Sequence, residues 1–192
     1  MADQEIILQA VKMLEQGGIM LYPTDTLIGL GCDVLNVAAI DNIFAMKGRD
    51  FTKPMSVACA DLQMIEDYTI LSAEDKKALA DLLPGPYTFV LPKNHKVSDL
   101  ITAGSESVGV RIPDYPILLD IIERLGRPII TTSANKSGDP DIQALDESPY
   151  GVDFVLDTPY IYTGPSTVLD LKNKRILREG VGAELLKQYF NL

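Results

Sequence analysis

Apolar and polar residues follow two periods along this chain, one typical of helices and one of strands. Residues 3–16 carry apolar side chains at helical spacing and stop at Gly17 and Gly18, which predicts an amphipathic helix. The same spacing predicts four later helices, three of which follow a residue type that caps helix N-termini. These are a helix after Asn36 that ends near Lys47, residues 73–83 after Ser72, a helix after Asp114 that runs to Leu125, and residues 182–190.

Short apolar runs bounded by proline, glycine or polar residues predict the strands between these helices. The predicted strands are residues 19–22, 55–60, 87–91, 108–112, 128–132, 154–156, 167–171 and 175–178. Strands and helices interleave without an internal repeat or a linker. We therefore predict one α/β domain over residues 1–192, with a large mixed sheet whose ligands bind where loops converge beyond the strand ends.

Composition excludes several classes of protein. The chain has 192 residues, of which 46% are hydrophobic and 23% charged, as in typical soluble globular proteins. It has neither a signal-peptide pattern nor an apolar run long enough for a membrane span, so we expect a cytoplasmic protein. The net charge of −10 disfavours a strongly basic nucleic-acid-binding domain. Basic residues nevertheless gather at residues 47–53 and 172–178, which fits a small anionic ligand better than a long duplex.

The few cysteine and histidine residues argue against metal and hydrolase chemistry. Cys32 and Cys59 lack the spacing of metal ligands or of a disulfide framework and are expected to be core thiols. His95 is the single histidine and is predicted to lie in a solvated loop. A His-rich metal site is therefore excluded. A Ser-His-Asp hydrolase is disfavoured because no Gly-x-Ser-x-Gly motif is present.

Two polar clusters in the first third of the chain are candidates for chemistry. Residues 22–31 hold two threonines, an aspartate and two glycines after a strand. A turn explains them equally well, and a dinucleotide fingerprint would need a third glycine. The second cluster holds Lys47, Arg49, Lys53 and Ser56. Its cations suit a triphosphate, although cations near a helix C-terminus also stabilise the helix.

Two further clusters follow later in the chain. In residues 107–113, Arg111 alternates with apolar residues, so its side chain must face solvent or meet an anion. Residues 128–138 run from an apolar strand into five hydroxyl or amide residues, for which a side-chain-stabilised turn is the alternative. Residues 133–135 could bind the same polyphosphate as the basic cluster near Lys47. We therefore predict a nucleotide-using enzyme without a Walker loop.

In their shared order and spacing, these clusters resemble the Sua5/YrdC/YciO/YwlC family of threonylcarbamoyl-AMP synthases over nearly the whole chain. The matching segments are residues 23–30 (P-T-[DE]-T-x-x-G-L), 47–49 (K-x-R), 84–86 (P-G-P), 108–113 (V-x-V-R-x-P), 133–135 (S-A-N), 166–168 (S-T-V) and 178–180 (R-x-G). The resemblance implies a YrdC-like domain, which is an open, twisted mixed sheet with flanking helices around a concave cleft. It also implies that the chain ends before the extra C-terminal domain of the longer members.

The resemblance implies a reaction and partners as well. Members of the family condense L-threonine, bicarbonate and ATP into L-threonylcarbamoyladenylate and release pyrophosphate. A partner transferase complex then moves the threonylcarbamoyl group to adenosine 37 of tRNAs that read ANN codons. We therefore expect a nucleotidyltransferase of tRNA processing, with Mg²⁺ accompanying ATP and no dedicated metal site. The family's links to RNA imply weak binding of tRNA or double-stranded RNA at most.

Roles also carry over to individual residues. For ATP, the resemblance implies Lys47, Arg49, Lys53, Ser56, Ser107, Ser133, Asn135 and Arg178. For L-threonine, it implies Thr26, Arg111, Thr131 and Ser166, with Arg111 as the partner of the carboxylate. Lys47 and Arg49 are the expected catalytic residues. Catalysis of this reaction is mostly placement and charge stabilisation, so no covalent nucleophile is required.

Departures from the family patterns leave a second interpretation open. Ile28 stands where a tyrosine is common, Asp50 follows K-x-R where a proline is common, and residues 139–141 replace the usual S-P-T. Residues 86–89 and 178–182 resemble the YciO branch, whereas the retained K-x-R and S-x-N motifs resemble the synthases. We predict a synthase. The alternative is a divergent YciO-like nucleotide- or RNA-binding protein without the full activity.

Overall fold

The computed structural model describes residues 2–48 and 51–192, so Arg49 and Asp50 lie outside the described residues. The helices are α1 (Ala2–Glu15), α2 (Val37–Lys47), α3 (Leu62–Tyr68), α4 (Ala73–Leu82), α5 (Asp99–Thr102), α6 (Pro116–Leu125) and α7 (Ala183–Phe190), with a 3-10 helix at Leu145–Glu147. The strands are β1 (Met20–Tyr22), β2 (Gly29–Gly31), β3 (Ser56–Ala58), β4 (Tyr87–Pro92), β5 (Ser107–Arg111), β6 (Ile129–Ser133), β7 (Phe154–Val155), β8 (Thr167–Asp170) and β9 (Arg175–Arg178). The helices and strands predicted from hydrophobic spacing are all present.

The described strands form one open sheet in the order β7-β1-β2-β6-β3-β5-β4-β8-β9. The pairs β1–β7, β3–β5 and β4–β8 are parallel, and the other neighbours are antiparallel. The prediction of a mixed sheet flanked by helices is therefore confirmed. Strands that are distant in sequence become neighbours in its centre, which brings the separate polar clusters together.

Two of the predicted helix caps are present as hydrogen bonds. The Asn36 side chain accepts the Ala39 backbone N–H at 2.9 Å. The Ser72 hydroxyl accepts the Asp75 N–H at 3.1 Å, and the Asp75 carboxylate accepts the Ser72 N–H at 2.9 Å. Such caps satisfy backbone donors that have no partner within the helix and contribute about 1 kcal/mol each.

The predicted cap at Asp114 is wrong. Tyr115 occupies the capping position of α6 without a side-chain bond to the helix, and Pro116 is the first helical residue. Proline suits that position because its φ angle is already helical and it lacks an N–H that would need a partner. At the other end, Gly126 closes the helix as predicted, in the left-handed conformation with φ 71°.

Period-two alternation gives the central strands one apolar face and one polar face. Residues such as Val57, Phe89, Val110 and Ile130 belong to the larger hydrophobic cluster, together with apolar side chains of α2, α3, α4 and α7. On the opposite face, α1 and α6 pack against each other and over β1 and neighbouring parts of β3 and β6. The remainder of that face carries hydroxyl and guanidinium groups, and this polar part forms the cleft.

Strand β2 was not predicted, because residues 22–31 were interpreted either as a turn or as a polar cluster for chemistry. The two glycines of β2 allow close packing instead. A Cβ atom at Gly29 would lie 2.7 Å from the ring of Tyr22, and one at Gly31 would lie 2.2 Å from the carbonyl oxygen of Ile130. Burial raises the pKa of Tyr22 to about 12, so its hydroxyl stays protonated beneath the cleft. The glycine pair therefore serves packing between β1, β2 and β6.

The predictions for cysteine and histidine are confirmed. Cys32 and Cys59 are free, buried thiols, and burial raises the pKa of both well above the usual range. His95 is an exposed loop residue. In the part of the chain that the structure describes, no helix has both the length and the hydropathy needed to cross a membrane.

Candidate active site

A polar cavity of about 160 Å³ lies on the cleft face of the sheet. Its lining comes from the central strands, from the end of the edge strand β9, and from the segments that precede β2, β3 and β8. The lining residues are Thr24, Leu27, Ile28, Gly29, Pro54, Met55, Ser56, Thr88, Arg111, Thr131, Thr132, Ser133, Ser166 and Arg178. Six of the residues proposed from the family resemblance, spread between positions 56 and 178, thus line one small cavity.

Arg111 ends β5 and brings a buried positive charge to the cavity, since only 7% of the residue is exposed. Its NH2 group donates to Oδ1 of Asp25 at 2.6 Å, and its NH1 group donates to Oγ1 of Thr26 at 3.0 Å. Burial lowers the pKa of Arg111, and the Asp25 charge opposes that shift. Burial likewise raises the pKa of Asp25 against the opposing charge of Arg111. The anion that Arg111 was expected to need is therefore already supplied within the protein.

The turn at residues 24–27 fixes the groups that meet this guanidinium. Oγ1 of Thr24 accepts the N–H groups of Thr26 and Leu27, both at 3.1 Å, and donates to the Leu27 carbonyl at 2.6 Å. It also lies 3.0 Å from Oγ1 of Thr26. Both threonines are almost fully buried. The turn therefore presents the Thr26 hydroxyl and the Asp25 carboxylate to Arg111 at the end of β5.

Arg178 brings a second guanidinium to the cavity. Its Nε and NH2 groups donate to the carbonyl of Ser166 at 3.1 and 2.9 Å, and NH2 also donates to Oγ of Ser166 at 3.0 Å. That hydroxyl lies 3.0 Å from Oγ1 of Thr88. Arg178 is exposed overall, but partial burial lowers its pKa, the charge of Asp141 opposes the shift, and the charge of Arg111 adds to it. Two arginines facing one small, hydroxyl-lined space make it a site for anionic groups.

Lys47 ends α2 and is 3% exposed. Its ammonium donates to the carbonyl of Ser133 and to that of Asn135, the latter at 2.6 Å. The N–H of Ser137 in turn donates to the Lys47 carbonyl at 3.2 Å. Within the same loop, the Asn135 amide donates to the carbonyl of Asp139. Lys47 thus joins α2 to the loop after β6, and its role as a phosphate ligand stays a prediction.

The remaining residues proposed for ATP are not gathered in the cavity. Ser107 begins β5 and lies four residues before Arg111, roughly 13 Å along the strand. Lys53 is exposed on the segment before β3. Arg49 lies outside the described residues. Their roles in ATP binding stay predictions.

Sequence reasoning missed several groups of the site. Thr88 had a usable signal, because it lies between the core residues Tyr87 and Phe89 and must point to the opposite face of β4. Asp25 was named within the cluster at residues 22–31, but nothing in the sequence identified its partner Arg111, which lies 86 residues away. Ile28, noted as a departure from the family pattern, is 2% exposed and contributes an apolar wall.

The sequence of the chain also matches the model of a known protein family. The model, Sua5/YciO/YrdC with the description "Telomere recombination", covers residues 12–180. The chain belongs to this family. Among its relatives, threonylcarbamoyl-AMP synthase of Vibrio vulnificus strain YJ016 is 33% identical over 182 residues, which is 90% of this chain and 97% of the relative. A putative threonylcarbamoyl-AMP synthase of Methanocaldococcus jannaschii is 35% identical over 88% of this chain and 83% of its own.

Solved structures of the Sua5/YciO/YrdC family share the fold. P. abyssi Sua5 complexed with L-threonine superposes with a TM-score of 0.88 at 33% identity, covering 97% of this chain and 57% of that one. E. coli YciO superposes with a TM-score of 0.83 at 28% identity, covering 93% of this chain and 91% of that one. The chain therefore spans a little over half the length of the Sua5 protein. The family and fold expected from the motifs are confirmed.

Proposed function

We propose that this protein is an L-threonylcarbamoyladenylate synthase. In the proposed reaction, the amine of L-threonine and bicarbonate form a carbamate with loss of water. A carbamate oxygen then attacks the α-phosphorus of ATP, and pyrophosphate leaves. The product would supply a threonylcarbamoyl transferase complex that modifies adenosine 37 of tRNA, and the cytoplasmic location predicted from the sequence agrees with this role.

The observation that carries the proposal is the small cavity on the cleft face. At about 160 Å³ it is smaller than the roughly 300–1,000 Å³ of pockets that enclose drug-sized ligands, so it suits an amino acid rather than a whole nucleotide. Its charged and hydroxyl groups match the carboxylate and hydroxyl of threonine. The synthase names of relatives at 33–35% identity and the threonine complex of P. abyssi Sua5 support the same substrate.

In this proposal, the threonine carboxylate binds Arg111, which has five N–H donors and uses two nitrogens for Asp25 and Thr26. Thr131 and Ser166 line the same cavity and would bond the other polar groups of the amino acid. The triphosphate would lie toward Ser56 and Ser133, with Lys47, Arg49, Lys53, Ser107, Asn135 and Arg178 as the further residues proposed for ATP. Mg²⁺ would enter with ATP as part of the substrate.

The chemistry requires placement of the reactants and stabilisation of charge on the phosphates, both of which fixed donors provide. Arg178 is held beside Ser166 by three hydrogen bonds, so its position is set before substrate arrives. Bicarbonate and the carbamate are both negatively charged, so the guanidinium groups of Arg111 and Arg178 would stabilise their binding. No side chain needs to form a covalent intermediate.

The decisive test is the substrate dependence of pyrophosphate release. Purified protein is incubated with Mg²⁺ and ATP, and L-threonine and bicarbonate are each added or omitted. We expect release only when both are present, because the carbamate is the nucleophile. L-serine and L-valine, which each lack one feature of the threonine side chain, serve as controls for specificity. Release that is indifferent to threonine would refute the synthase.

A second candidate function is that of a YciO-like protein without the full synthase activity. The extensive match to E. coli YciO favours it, since the two chains cover more than nine-tenths of each other. This candidate predicts nucleotide or weak RNA binding without threonine-dependent release of pyrophosphate. The same assay therefore separates the two functions.

A further inference from the structure

Asp25 is a carboxylate of the cleft to which the proposed reaction gives no part. Its side chain is 12% exposed, and its Oδ1 atom accepts from Arg111 at 2.6 Å. Its other oxygen, Oδ2, and the Nε atom of Arg111 are buried without a hydrogen-bond partner among the described residues. A buried ion pair with unsatisfied atoms is a costly arrangement, and replacing such pairs by apolar residues is often neutral or stabilising. Stability alone therefore gives Asp25 little reason to be here.

We propose that Asp25 is the positioning residue of the amino-acid site, which holds the guanidinium of Arg111 in the plane that receives the substrate carboxylate. This inference rests on the proposed function, because it concerns the site where threonine would bind. Arg111 is the group expected to touch the substrate, and Asp25 acts through it.

The geometry of the pair supports this role. A guanidinium is a planar fork at the end of a flexible stem, so two fixed acceptors on different nitrogens determine its orientation. Asp25 accepts a hydrogen bond from the NH2 group of Arg111, and Thr26 accepts one from its NH1 group. Both bonds have a charged donor, but only the bond to Asp25 joins two opposite charges, so it is the stronger of the two. In Asp25→Asn the amide oxygen can still accept a hydrogen bond, but the ion pair is lost, so the fork is held less firmly and can rotate more freely.

Asp25 is itself held from two sides. The Thr163 hydroxyl donates to the Asp25 carbonyl at 2.8 Å, and the Thr163 N–H donates to the Thr26 carbonyl at 3.2 Å. Inside the turn, the Thr24 hydroxyl bonds the backbone groups of Thr26 and Leu27. The segment that leads to Ser166 is therefore tied to the turn that carries Asp25. Supporting contacts of this kind keep a binding group within the tolerance that recognition requires.

Charge and position make opposite predictions for the same substitution. If Asp25 only neutralised the cleft, Asp25→Asn would leave Arg111 with an uncompensated charge and would strengthen the binding of a substrate carboxylate. If Asp25 positions Arg111, the same substitution weakens that binding. The sign of the change in threonine affinity therefore distinguishes the two roles.

The test compares wild type with Asp25→Asn, Asp25→Glu and Asp114→Asn. Asp114 is an exposed carboxylate close to Asp25 and serves as the matched control. For Asp25→Asn we expect the KM for L-threonine to rise about tenfold or more, with kcat at saturating threonine and the KM for ATP changed less than threefold. Asp25→Glu keeps the charge but moves it by one methylene, so the threonine KM should rise about threefold. The control should match wild type.

Several outcomes would overturn the proposal. These are a threonine KM that falls or is unchanged in Asp25→Asn, and equal losses for threonine and ATP. If Asp25→Asn does not fold, Asp25→Glu is used to test the positioning role. An unchanged KM for threonine in that variant rejects the role.

A readout that does not depend on activity separates this proposal from the proposed function. The Nε–H resonance of Arg111, assigned from its absence in Arg111→Lys, reports by NMR whether the guanidinium is fixed. We expect one sharp resonance in wild type, broadening in Asp25→Asn, and a retained signal in Asp25→Glu. An unaltered resonance in Asp25→Asn refutes the positioning role. Absence of threonine binding in the wild type, measured by calorimetry, refutes the proposed function instead.

Discussion

Lys47 carries a charge into the interior at the end of α2, where two backbone carbonyl groups accept hydrogen bonds from its ammonium group. Burying an ammonium is expensive unless hydrogen bonds replace its hydration, and these carbonyls supply such bonds. The loop that they belong to includes Ser133, which lines the cavity. A lysine predicted from its motif as a phosphate ligand therefore also determines the shape of the site's wall.

Replacing Lys47 should accordingly affect stability as well as ATP use. Lys47→Met removes the donor from the buried Asn135 carbonyl and the partly buried Ser133 carbonyl. An unsatisfied buried group costs roughly 1–3 kcal/mol. For a protein of this size, that corresponds to a fall in Tm of roughly 2–12 °C, measured by differential scanning calorimetry. Lys53→Met alters an exposed lysine of the same cluster and is the matched control, with an expected change within about 0.5 kcal/mol. Lost ATP use at an unchanged Tm in Lys47→Met would contradict the structural role.

The pair of Asp25 and Arg111 marks the limit of what individual residues disclose in a sequence. Arg111 could be recognised as a charge that needs an anion, because it alternates with apolar residues on a strand. Its partner could not be identified, since hydrogen bonding between positions 86 residues apart depends on the complete topology. The residue types of the site were thus predictable, whereas their pairing was not.

Secondary structure was predictable wherever residues close in sequence determine it. Helices α2 and α4 begin at Asn36 and Ser72 because those side chains bond backbone groups three residues later. Strand β2 consists of Gly-Leu-Gly and lacks the β-branched or aromatic residues that identify strands. It forms because β1 and β6 provide partners on both sides. Helix α3 was also missed, because it is only seven residues long and has a single fully buried residue, Ile65, although Asp61 caps its start.

Because β2 depends on close packing, a single methyl group should disturb it. In Gly31→Ala the new Cβ would lie 2.2 Å from the Ile130 carbonyl oxygen, so the backbone of β2 or β6 must shift. We expect a loss of about 1–3 kcal/mol in the free energy of unfolding, measured by urea denaturation. Gly151→Ala, where an added Cβ meets nothing within 4 Å, should change stability little. Equal stabilities of the two variants would show that β2 accommodates the methyl group.

At the scale of the whole molecule, net charge limits how tightly the protein could bind nucleic acid. The chain has a net charge of −10, while a basic cluster lies in and beside the hairpin of β8 and β9, at residues 172–178. A duplex-binding protein gains affinity by neutralising many phosphates, and this surface offers few cations for that purpose. A small anionic ligand between two arginines would not need many cations, because its binding depends only on the charge close to it.

We therefore expect weak tRNA binding that depends on salt. Fluorescence anisotropy with labelled tRNA should give a Kd of roughly 10⁻⁴–10⁻⁶ M near physiological salt, and the affinity should fall steeply as the salt concentration rises. The variant Lys172→Gln/Lys174→Gln should reduce the salt slope, whereas Lys187→Gln, outside the basic cluster, should not. Tight binding that survives high salt would contradict this expectation and favour the RNA-binding alternative.

The two faces of the central strands have an evolutionary consequence. Each strand carries two interleaved series of residues, and a change in one series leaves the other in place. Thr88 can vary while Tyr87 and Phe89 continue to hold β4 in the core, and the same holds for Ser56 beside Val57. A sheet built in this way can acquire a new ligand by substitutions at alternate positions, without first acquiring a new fold. Its recognition surface and its scaffold are encoded in the same few segments and yet are free to diverge.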